Sequence, residues 1–161
     1  MTSIQKMTPE ERKSSGSHYT PEPLARFVAR EIYKYAAKSA SSLLDPSVGD
    51  GELLKAMISE NKGHKLSLSA FDINSDALSE ADETLKPVLN GFPCQLVKKD
   101  FLDGIELGDD SLFQNEKYDF CISNPPYVRT QVMGAETSQK LAKRFGLTGR
   151  VDLYHAFILG I

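Results

Sequence analysis

Short segments rich in apolar residues alternate along the chain with apolar stripes of helical spacing. These segments predict four strands, at 43–44, 66–72, 94–100 and 118–123. Each segment ends in aspartate or is followed by aspartate or asparagine, which favour turns. The strands are therefore short and separated by segments long enough to hold a helix.

Three helices are predicted, one before the first strand and one after each of the first two strands, and the first two helices contain apolar stripes of helical spacing. The first helix begins with Thr20 as N-cap and Pro21 at the first helical position. The third covers 75–89, with Asn74 or Ser75 as its cap and Pro87 and Gly91 near its end. The apolar members of the first stripe are Leu24, Phe27, Val28, Ile32 and Tyr35, and those of the second are Leu53, Leu54, Met57 and Ile58.

This alternation of strands and helices predicts an α/β fold, a parallel sheet with right-handed crossovers and helices on both faces. Ligands of such sheets bind at the carboxyl ends of the strands. Asp45, Asp72, Asp100 and Asn124 each follow a predicted strand. We therefore expect these four polar side chains to share one edge of the sheet.

Length and composition favour a single intracellular domain. The chain has 161 residues, of which 40% are hydrophobic, enough for one core. Residues 1–17 are polar and predict a flexible lead-in without a signal peptide, which indicates a cytoplasmic protein. Cys94 and Cys121 lack metal-ligand spacing, so they are predicted to be buried free thiols, and no metal site is expected.

Charge is unevenly distributed along the chain. The net charge of −3 argues against nucleic-acid binding by the whole surface. The segment 128–150 nevertheless contains five basic residues and one acidic residue, which predicts either a DNA-binding arm or an ordinary solvated helix face. The basic residues are Arg129, Lys140, Lys143, Arg144 and Arg150.

The tetrapeptide Asn124-Pro125-Pro126-Tyr127 fits the methylation of an exocyclic amino group. Such an amine is a poor nucleophile, and two fixed neutral acceptors would hold its N–H bonds. Asn124 offers a side-chain carbonyl and Pro125 a backbone carbonyl, while the prolines restrict the backbone. Tyr127 offers a stacking face, worth roughly 1 to 3 kcal/mol per base. The alternative is a rigid turn after a strand.

The segment after the first strand predicts a nucleotide-like cofactor. Gly49 and Gly51 permit a sharp turn before a helix N-terminus, but Leu54 occupies the third glycine position of a dinucleotide fingerprint. Asp72 lies 21 residues after Gly51, where an acid ending the second strand accepts ribose hydroxyls. Its alternative role is to cap the next helix. Asp100 and Phe101 suit an adenine ring.

Taken in order, these motifs resemble the gamma class of amino-group DNA methyltransferases, in the adenine-N6 branch of restriction-modification systems. The resemblance runs from Gly16 to Phe157 and implies a Rossmann-like fold with S-adenosylmethionine as cofactor. His18-Tyr19-Thr20-Pro21, 45–54 and 149–154 look like family motifs, although Leu53 replaces the usual phenylalanine. The cofactor contacts that it implies are Tyr19, Thr20, Pro21, Asp45, Pro46, Gly49, Gly51, Asp72, Ile73, Asp100, Phe101 and Asn124. The catalytic residues that it implies are Asn124, Pro125, Pro126 and Tyr127.

In members of this family, the position that corresponds to Ile161 is followed by further strands and by a target-recognition domain that reads the DNA sequence. Residues 18–161 are therefore expected to form the N-terminal portion of the catalytic domain, truncated to about four strands and inactive alone. A partner chain, a homodimer, a domain swap or 151–161 would cover the open edge of the fourth strand. Three alternatives stay open: a protein glutamine-amide methyltransferase, an RNA adenine methyltransferase, and an inactive cofactor-binding or assembly module.

Overall fold

A computed structural model of the chain describes residues 19–102, 117–127, 134–146 and 152–161. Two compact units are present, 19–124 and 125–160. The predicted lead-in at 1–17, His18 and Gly149-Arg150-Val151 lie outside the described residues. The helices are α1 (Glu22–Tyr35), α2 (Glu52–Ser59), α3 (Ser75–Leu85), α4 (Ala135–Phe145) and α5 (Leu153–Gly160). The strands are β1 (Ser42–Asp45), β2 (Ser67–Asp72), β3 (Cys94–Lys98) and β4 (Phe120–Cys121).

The first unit contains a parallel sheet in the order β3-β2-β1-β4. Leu43 at the centre of this sheet pairs with Leu68 on one side and Phe120 on the other. The α/β fold class is confirmed, and the strand order reverses between β1 and β4, where such sheets bind ligands. Three predicted strands are longer than the observed ones, because β2 begins at Ser67, β3 ends at Lys98 and β4 contains two residues.

The buried face of α1 differs from the predicted stripe. Small residues make the closest contacts: Ala25 and Ala29 are fully buried and Tyr33 nearly so. Leu24 and Phe27 are more than half exposed. The larger residues give the stronger periodic signal, but alanines let α1 pack closely against α2. The stripe thus predicts the helix correctly, but Leu24, Phe27 and Tyr35 are exposed, whereas Val28 and Ile32 pack against the core.

The predicted start of α1 is also wrong. Pro21 is the N-cap, no side chain caps the helix, and α1 begins at Glu22. The Thr20 hydroxyl instead accepts a hydrogen bond from a residue distant in sequence, described below. Its side chain is therefore available to the sheet edge and does not satisfy a helix N–H.

The predictions for α2 and α3 hold better. All four members of the predicted α2 stripe, Leu53, Leu54, Met57 and Ile58, are buried. Asn74 caps α3 by accepting from the Asp76 N–H at 2.9 Å. The helix ends at Leu85, four residues before the predicted end, since Pro87 follows closely and cannot continue it.

A side-chain clasp joins the starts of β1 and β4. Asp119 Oδ2 accepts from the N–H groups of Ser41 (2.7 Å) and Ser42 (3.0 Å) and from the Ser42 hydroxyl (2.9 Å). The Asp119 N–H donates back to Ser42 Oγ at 2.9 Å. These donors, chiefly the two backbone amides, lower the pKa of Asp119. The clasp fixes the register of a very short strand.

Both cysteines are free and partly buried, so the predicted free thiols are confirmed and full burial is not. Burial raises the pKa of Cys121 to about 12, and the nearby Asp45 carboxyl adds to this shift. In the part of the chain that the structure describes, no helix is long and apolar enough to cross a membrane.

The second unit contains α4 and α5, which contact one another. Leu141 and Ser138 are buried on α4, while Lys140 and Lys143 are exposed. The helix ends at Gly146, whose left-handed conformation (φ 63°) lets its N–H reach the Ala142 carbonyl.

Candidate cofactor and target-amine site

Asp72, at the end of β2, holds the glycine turn that follows β1. Its Oδ2 accepts from the Gly49 N–H at 3.0 Å and its Oδ1 from the Asn74 N–H at 2.9 Å. Asn74, not Asp72, caps α3. An ionised carboxylate has about four acceptor positions, so these two bonds leave capacity for two ribose hydroxyls.

The glycine turn has the conformation that its residues predict. Gly49 (φ 55°) and Gly51 (φ 81°) both adopt the left-handed region, which favours glycine. A Cβ at Gly51 would meet the Ala81 backbone on α3, with 3.0 Å to Cα and 3.3 Å to the carbonyl oxygen. Gly51 is therefore required twice, by its dihedral angle and by the close approach of α3.

Tyr19 lies against this turn. A Cβ at Gly49 would be 3.7 Å from Tyr19 Cδ1, and the Tyr19 hydroxyl donates to Glu80 Oε2 on α3 at 3.2 Å. The segment before α1, the glycine turn and α3 thus meet in one place. Glu80 was not among the predicted site residues, because an acid on a helix surface carries no sequence signal.

Asp45, at the end of β1, is fully buried. Its Oδ1 accepts from the Ser47 N–H at 3.1 Å, and its Oδ2 has no hydrogen-bond partner among the described residues. Burial is the main cause that raises the pKa of Asp45 to about 7, and the Asp72 and Asp50 carboxylates add to it. The Ser47 amide and the nearby Ser123 hydroxyl only partly oppose this shift.

The ends of β1 and β4 are joined by the hydroxyls of Ser47 and Ser123, whose oxygens are 2.9 Å apart. The next residue, Asn124, donates from Nδ2 to Thr20 Oγ1 at 3.2 Å. Neither serine was predicted, although one lies inside the glycine motif and the other directly precedes Asn124. The structure thus brings Thr20, Asp45, Asp72 and Asn124 to the carboxyl edge of one sheet.

The other candidates for an adenine site differ in exposure. Asp100 Oδ1 accepts from the Leu102 N–H at 2.9 Å, so this acid also organises the turn after β3. Phe101 is 3% exposed and lies 5.8 Å from the Phe71 ring, centroid to centroid. Ile73 is 69% exposed. In this conformation Ile73 presents more apolar surface to a ligand than Phe101 does.

In the second unit, Pro125 and Pro126 are partly buried and Tyr127 is 55% exposed. The Tyr127 and Tyr154 ring centroids are 5.9 Å apart. The Tyr154 ring lies 4.0 Å from that of His155, whose Nδ1 accepts from the Asp152 N–H at 3.2 Å. Among the described residues, Tyr154 is therefore an aromatic neighbour of Tyr127, whose ring keeps a substantial accessible surface.

The described part of the predicted basic arm is α4. Lys140 forms an exposed ion pair with Glu136 (2.9 Å), and the Arg144 guanidinium lies 4.8 Å from the centroid of the Phe145 ring. Both features also occur on ordinary solvated helices, so the two interpretations of this segment stay open. Arg129 and Arg150 lie outside the described residues.

Comparison with solved structures defines the class of fold. The methyltransferase subunit of a type I restriction-modification system from Streptococcus thermophilus aligns with a TM-score of 0.64 at 21% identity, over 91% of this chain and 32% of that one. The parallel sheet is that of the Rossmann-like S-adenosylmethionine-dependent methyltransferases, as expected.

The family follows from residues 32–160, which match the Eco57I restriction-modification methylase family. The chain belongs to that family. It is 42% identical to the type II methyltransferase M.BanIII of Aneurinibacillus aneurinilyticus, over 93% of this chain and 28% of the relative. It is also 32% identical to the release factor glutamine methyltransferase of Caulobacter vibrioides, over 71% of this chain and 36% of the relative. The chain thus spans about a third or less of the length of these relatives.

Proposed function

We propose that this chain is the cofactor-binding and catalytic core of an S-adenosylmethionine-dependent DNA methyltransferase that acts on the N6 amino group of adenine. The observation that carries the proposal is Asn124 at the switch point of the sheet, with its amide donor engaged by Thr20. Asn124 Oδ1 is the neutral acceptor that would hold an amine. Membership of a restriction-modification methylase family supports DNA as the substrate.

The charges of the site fit a cationic cofactor. Burial raises the pKa of Asp45, and the Asp72 and Asp50 carboxylates raise it further. Burial also raises the pKa of Asp50, and the Glu52 and Glu80 carboxylates add to this shift. A sulfonium and an ammonium group would relieve this repulsion, whereas the pyrophosphate of a dinucleotide would increase it. The unpartnered Asp45 Oδ2 is a further acceptor for a cationic group. When bound, S-adenosylmethionine would supply the electrophilic methyl group.

The chain's own residues would hold the cofactor in three parts. Asp72 would accept the ribose hydroxyls, Ile73 and Phe101 would contact the adenine ring, and Asp100 would accept its exocyclic N–H. The remaining proposed contacts lie around the glycine turn and the segment that precedes α1. They are Tyr19, Thr20, Pro21, Asp45, Pro46, Gly49, Gly51 and Asn124.

At the target, the proposed chemistry is positioning and electrostatics. Asn124 Oδ1 and the Pro125 carbonyl would accept the two amine N–H bonds and pull the nitrogen toward tetrahedral geometry, with Pro126 restricting the backbone. The exposed ring of Tyr127 would stack on a base that has left the duplex. No strongly ionised base is needed, since the amine loses its proton only as its nitrogen becomes cationic.

One finding favours a second function. The glutamine methyltransferase relative, at 32% identity, keeps open methyl transfer to a side-chain amide, which would use the same two acceptors. The match to a restriction-modification methylase family and the greater identity to a type II methyltransferase favour DNA. RNA adenine methylation and an inactive assembly module stay as outcomes of the test.

Several finer features belong to the same proposal. Residues 18–161 would form the N-terminal portion of the catalytic domain, and α4 would contribute basic charge to the DNA surface. The sheet edge at β4 would be covered by further strands, a second copy or a swapped segment. A cytoplasmic location follows from the DNA substrate.

The test is methyl transfer by the complete gene product to DNA, RNA and protein, with the product nucleoside or amino acid identified by mass spectrometry. Asn124→Ala should lower kcat by a few hundredfold or more, the effect of about 3 to 4 kcal/mol of lost transition-state stabilisation. Its cofactor Kd should change far less, because Asn124 is one of many proposed cofactor contacts but one of only two proposed acceptors of the amine. Asn90→Gly is the control, since Asn90 is exposed and its φ of 45° suits glycine. Methylglutamine as the product, or near-normal turnover by Asn124→Ala, would contradict the proposal.

A further inference from the structure

The Tyr19 side chain bridges two parts of the proposed cofactor site. Its ring lies on the side of Gly49 from which a side chain would project, with Cδ1 3.7 Å and Cε1 3.8 Å from the position of a Cβ. Its hydroxyl donates to Glu80 Oε2 on α3 at 3.2 Å. An ionised carboxylate can only accept, so this hydrogen bond has one possible direction. The contact ties the segment before α1 to a helix 61 positions further along the chain.

Glu80 is held next to the glycine turn by the packing of α3. The residue that follows it, Ala81, is fully buried, and its Cα would be 3.0 Å from a Cβ at Gly51. The Glu80 carboxylate also acts on the turn through its charge. Burial is the main cause that raises the pKa of Asp50 in this turn, and Glu80 adds to the rise. Glu80 therefore belongs to the surroundings of the turn, although it lies on a helix surface.

The bond between Tyr19 and Glu80 has no competing cation among the described residues, where the Glu80 carboxylate forms no ion pair. Glu52, at the start of α2, differs in this respect, because it pairs with Lys55 at 3.1 Å. Removal of the Tyr19 hydroxyl would leave Glu80 without the donor that it has in this part of the chain. Removal of the Glu80 carboxylate would take away the anchor of Tyr19 on α3. The two side chains are therefore expected to act as a pair.

The order of the strands indicates which part of the cofactor this pair would serve. Under the proposed function, the adenine lies at the end of β3, the ribose lies at Asp72 on β2, and the methyl group points to Asn124 after β4. The sulfur, which carries both the methyl group and the amino-acid chain, must then lie between β2 and β4. β1 and the glycine turn that follows it occupy this place. Tyr19, which packs on the turn, is thus placed beside the amino-acid end.

We propose that Glu80 is a positioning residue for the cofactor, because it holds the Tyr19 ring against the glycine turn, where the ring forms a wall of the subsite for the amino-acid end of S-adenosylmethionine. The inference rests on the cofactor part of the proposed function and is independent of the target base. Glu80 acts through the Tyr19 hydroxyl and does not itself touch the cofactor.

The test is a double-mutant cycle on the complete protein, with the Kd of S-adenosylmethionine measured by calorimetry. Tyr19→Phe keeps the ring and removes the hydroxyl, and Glu80→Ala removes the acceptor. Each change should raise Kd about threefold to tenfold, the effect of one lost hydrogen bond, and the double variant should lose no more than either single one. Glu80→Gln, which keeps a neutral acceptor, should restore most of the affinity. Glu83→Ala, an equal change of charge at an exposed position of α3, is the control.

A second ligand tests the subsite. 5′-Methylthioadenosine keeps the adenosine and the sulfur but lacks the amino-acid end. Its Kd should stay within about twofold of the wild-type value in every variant, a difference of less than one hydrogen bond. An equal loss of affinity for both ligands would overturn the proposal, because the pair would then support the turn as a whole.

Three other results would also overturn it: no binding of S-adenosylmethionine by the wild type, an unchanged Kd in either single variant, or additive losses in the double variant. The positioning role and the proposed function can fail separately. If the Kd values change as expected while the wild type produces methylglutamine, the positioning role stands and the proposed function fails. If N6-methyladenine forms in DNA while the Kd values do not change, the positioning role fails and the proposed function stands.

Discussion

Gly51→Ala tests whether the glycine turn is shaped by its dihedral angle alone or also by its contact with α3. The alanine would have to adopt the φ of 81° that Gly51 has, and its Cβ would lie 3.0 Å from the Ala81 Cα and 3.2 Å from the Ala81 Cβ. A left-handed L-residue costs about 1 to 2 kcal/mol. Overpacking against a backbone atom, which cannot rotate away, costs about 1 to 3 kcal/mol more. The free energy of unfolding should therefore fall by about 2 to 5 kcal/mol.

Gly91→Ala is the matched control. Gly91 has nearly the same φ, 85°, but nothing lies within 4 Å of an added Cβ. Its free energy of unfolding should fall only by the cost of the left-handed conformation. The reduced freedom of the unfolded chain should offset about 0.4 to 1 kcal/mol of this cost. Urea unfolding followed by circular dichroism measures both variants, and equal slopes with different midpoints would indicate a change in stability alone.

The difference between the two variants measures the packing contribution, which we expect to be about 1 to 3 kcal/mol. Equal midpoints for Gly51→Ala and Gly91→Ala would refute the reasoning, because they would mean that α3 moves away from the turn without cost. In that case the glycine is required only for its φ.

Three further predictions concern carboxylates. Because burial raises the pKa of Asp45 from 3.8 to about 7, the contribution of this residue to the free energy of unfolding should be greatest below pH 3.8. This contribution should fall by on the order of 4 kcal/mol as the pH rises through 7. Asp45→Asn should remove this pH dependence, and Glu83→Gln, a change at an exposed residue, should keep it. Asp72→Asn should weaken cofactor binding about tenfold to a hundredfold by calorimetry, and an unchanged Kd would remove it from the cofactor site. Asp119→Ala should lower the urea midpoint at pH 7. Because the pKa of Asp119 is lowered in the folded protein, the wild type should lose its higher midpoint as the pH falls below 3.8. A difference between the two midpoints that persists at pH 2 would contradict the electrostatic account.

The sequence predicted the edge of the site better than its contacts. Asp45, Asp72 and Asn124 were placed correctly at one sheet edge, because parallel strands direct all their carboxyl ends the same way. The bond between Thr20 and Asn124 was not predicted, since pattern reasoning assigns a threonine before proline to the local helix cap. A contact across 104 residues has no local signal.

The error in α1 has a different cause. Periodicity weights large apolar residues, so Leu24 and Phe27 defined the predicted face. The buried face is defined by Ala25 and Ala29, whose small size allows close packing but adds little to a hydrophobic pattern. In α2, by contrast, the large apolar residues and the buried face coincide, and the prediction was correct.

Because β4 pairs over so few residues, it should be among the first parts of the sheet to open on heating. Among the described residues, β4 pairs with β1 through only Phe120 and Cys121, whereas five residues of β2 pair with five residues of β3. Local opening is governed by the number of contacts that must break together. On warming, Asn124 should therefore become disordered while Asp72 still accepts its hydrogen bond from the Gly49 N–H in the glycine turn. Under the proposed function, the chain would then still bind the cofactor but no longer transfer a methyl group, and methyl transfer would return on cooling.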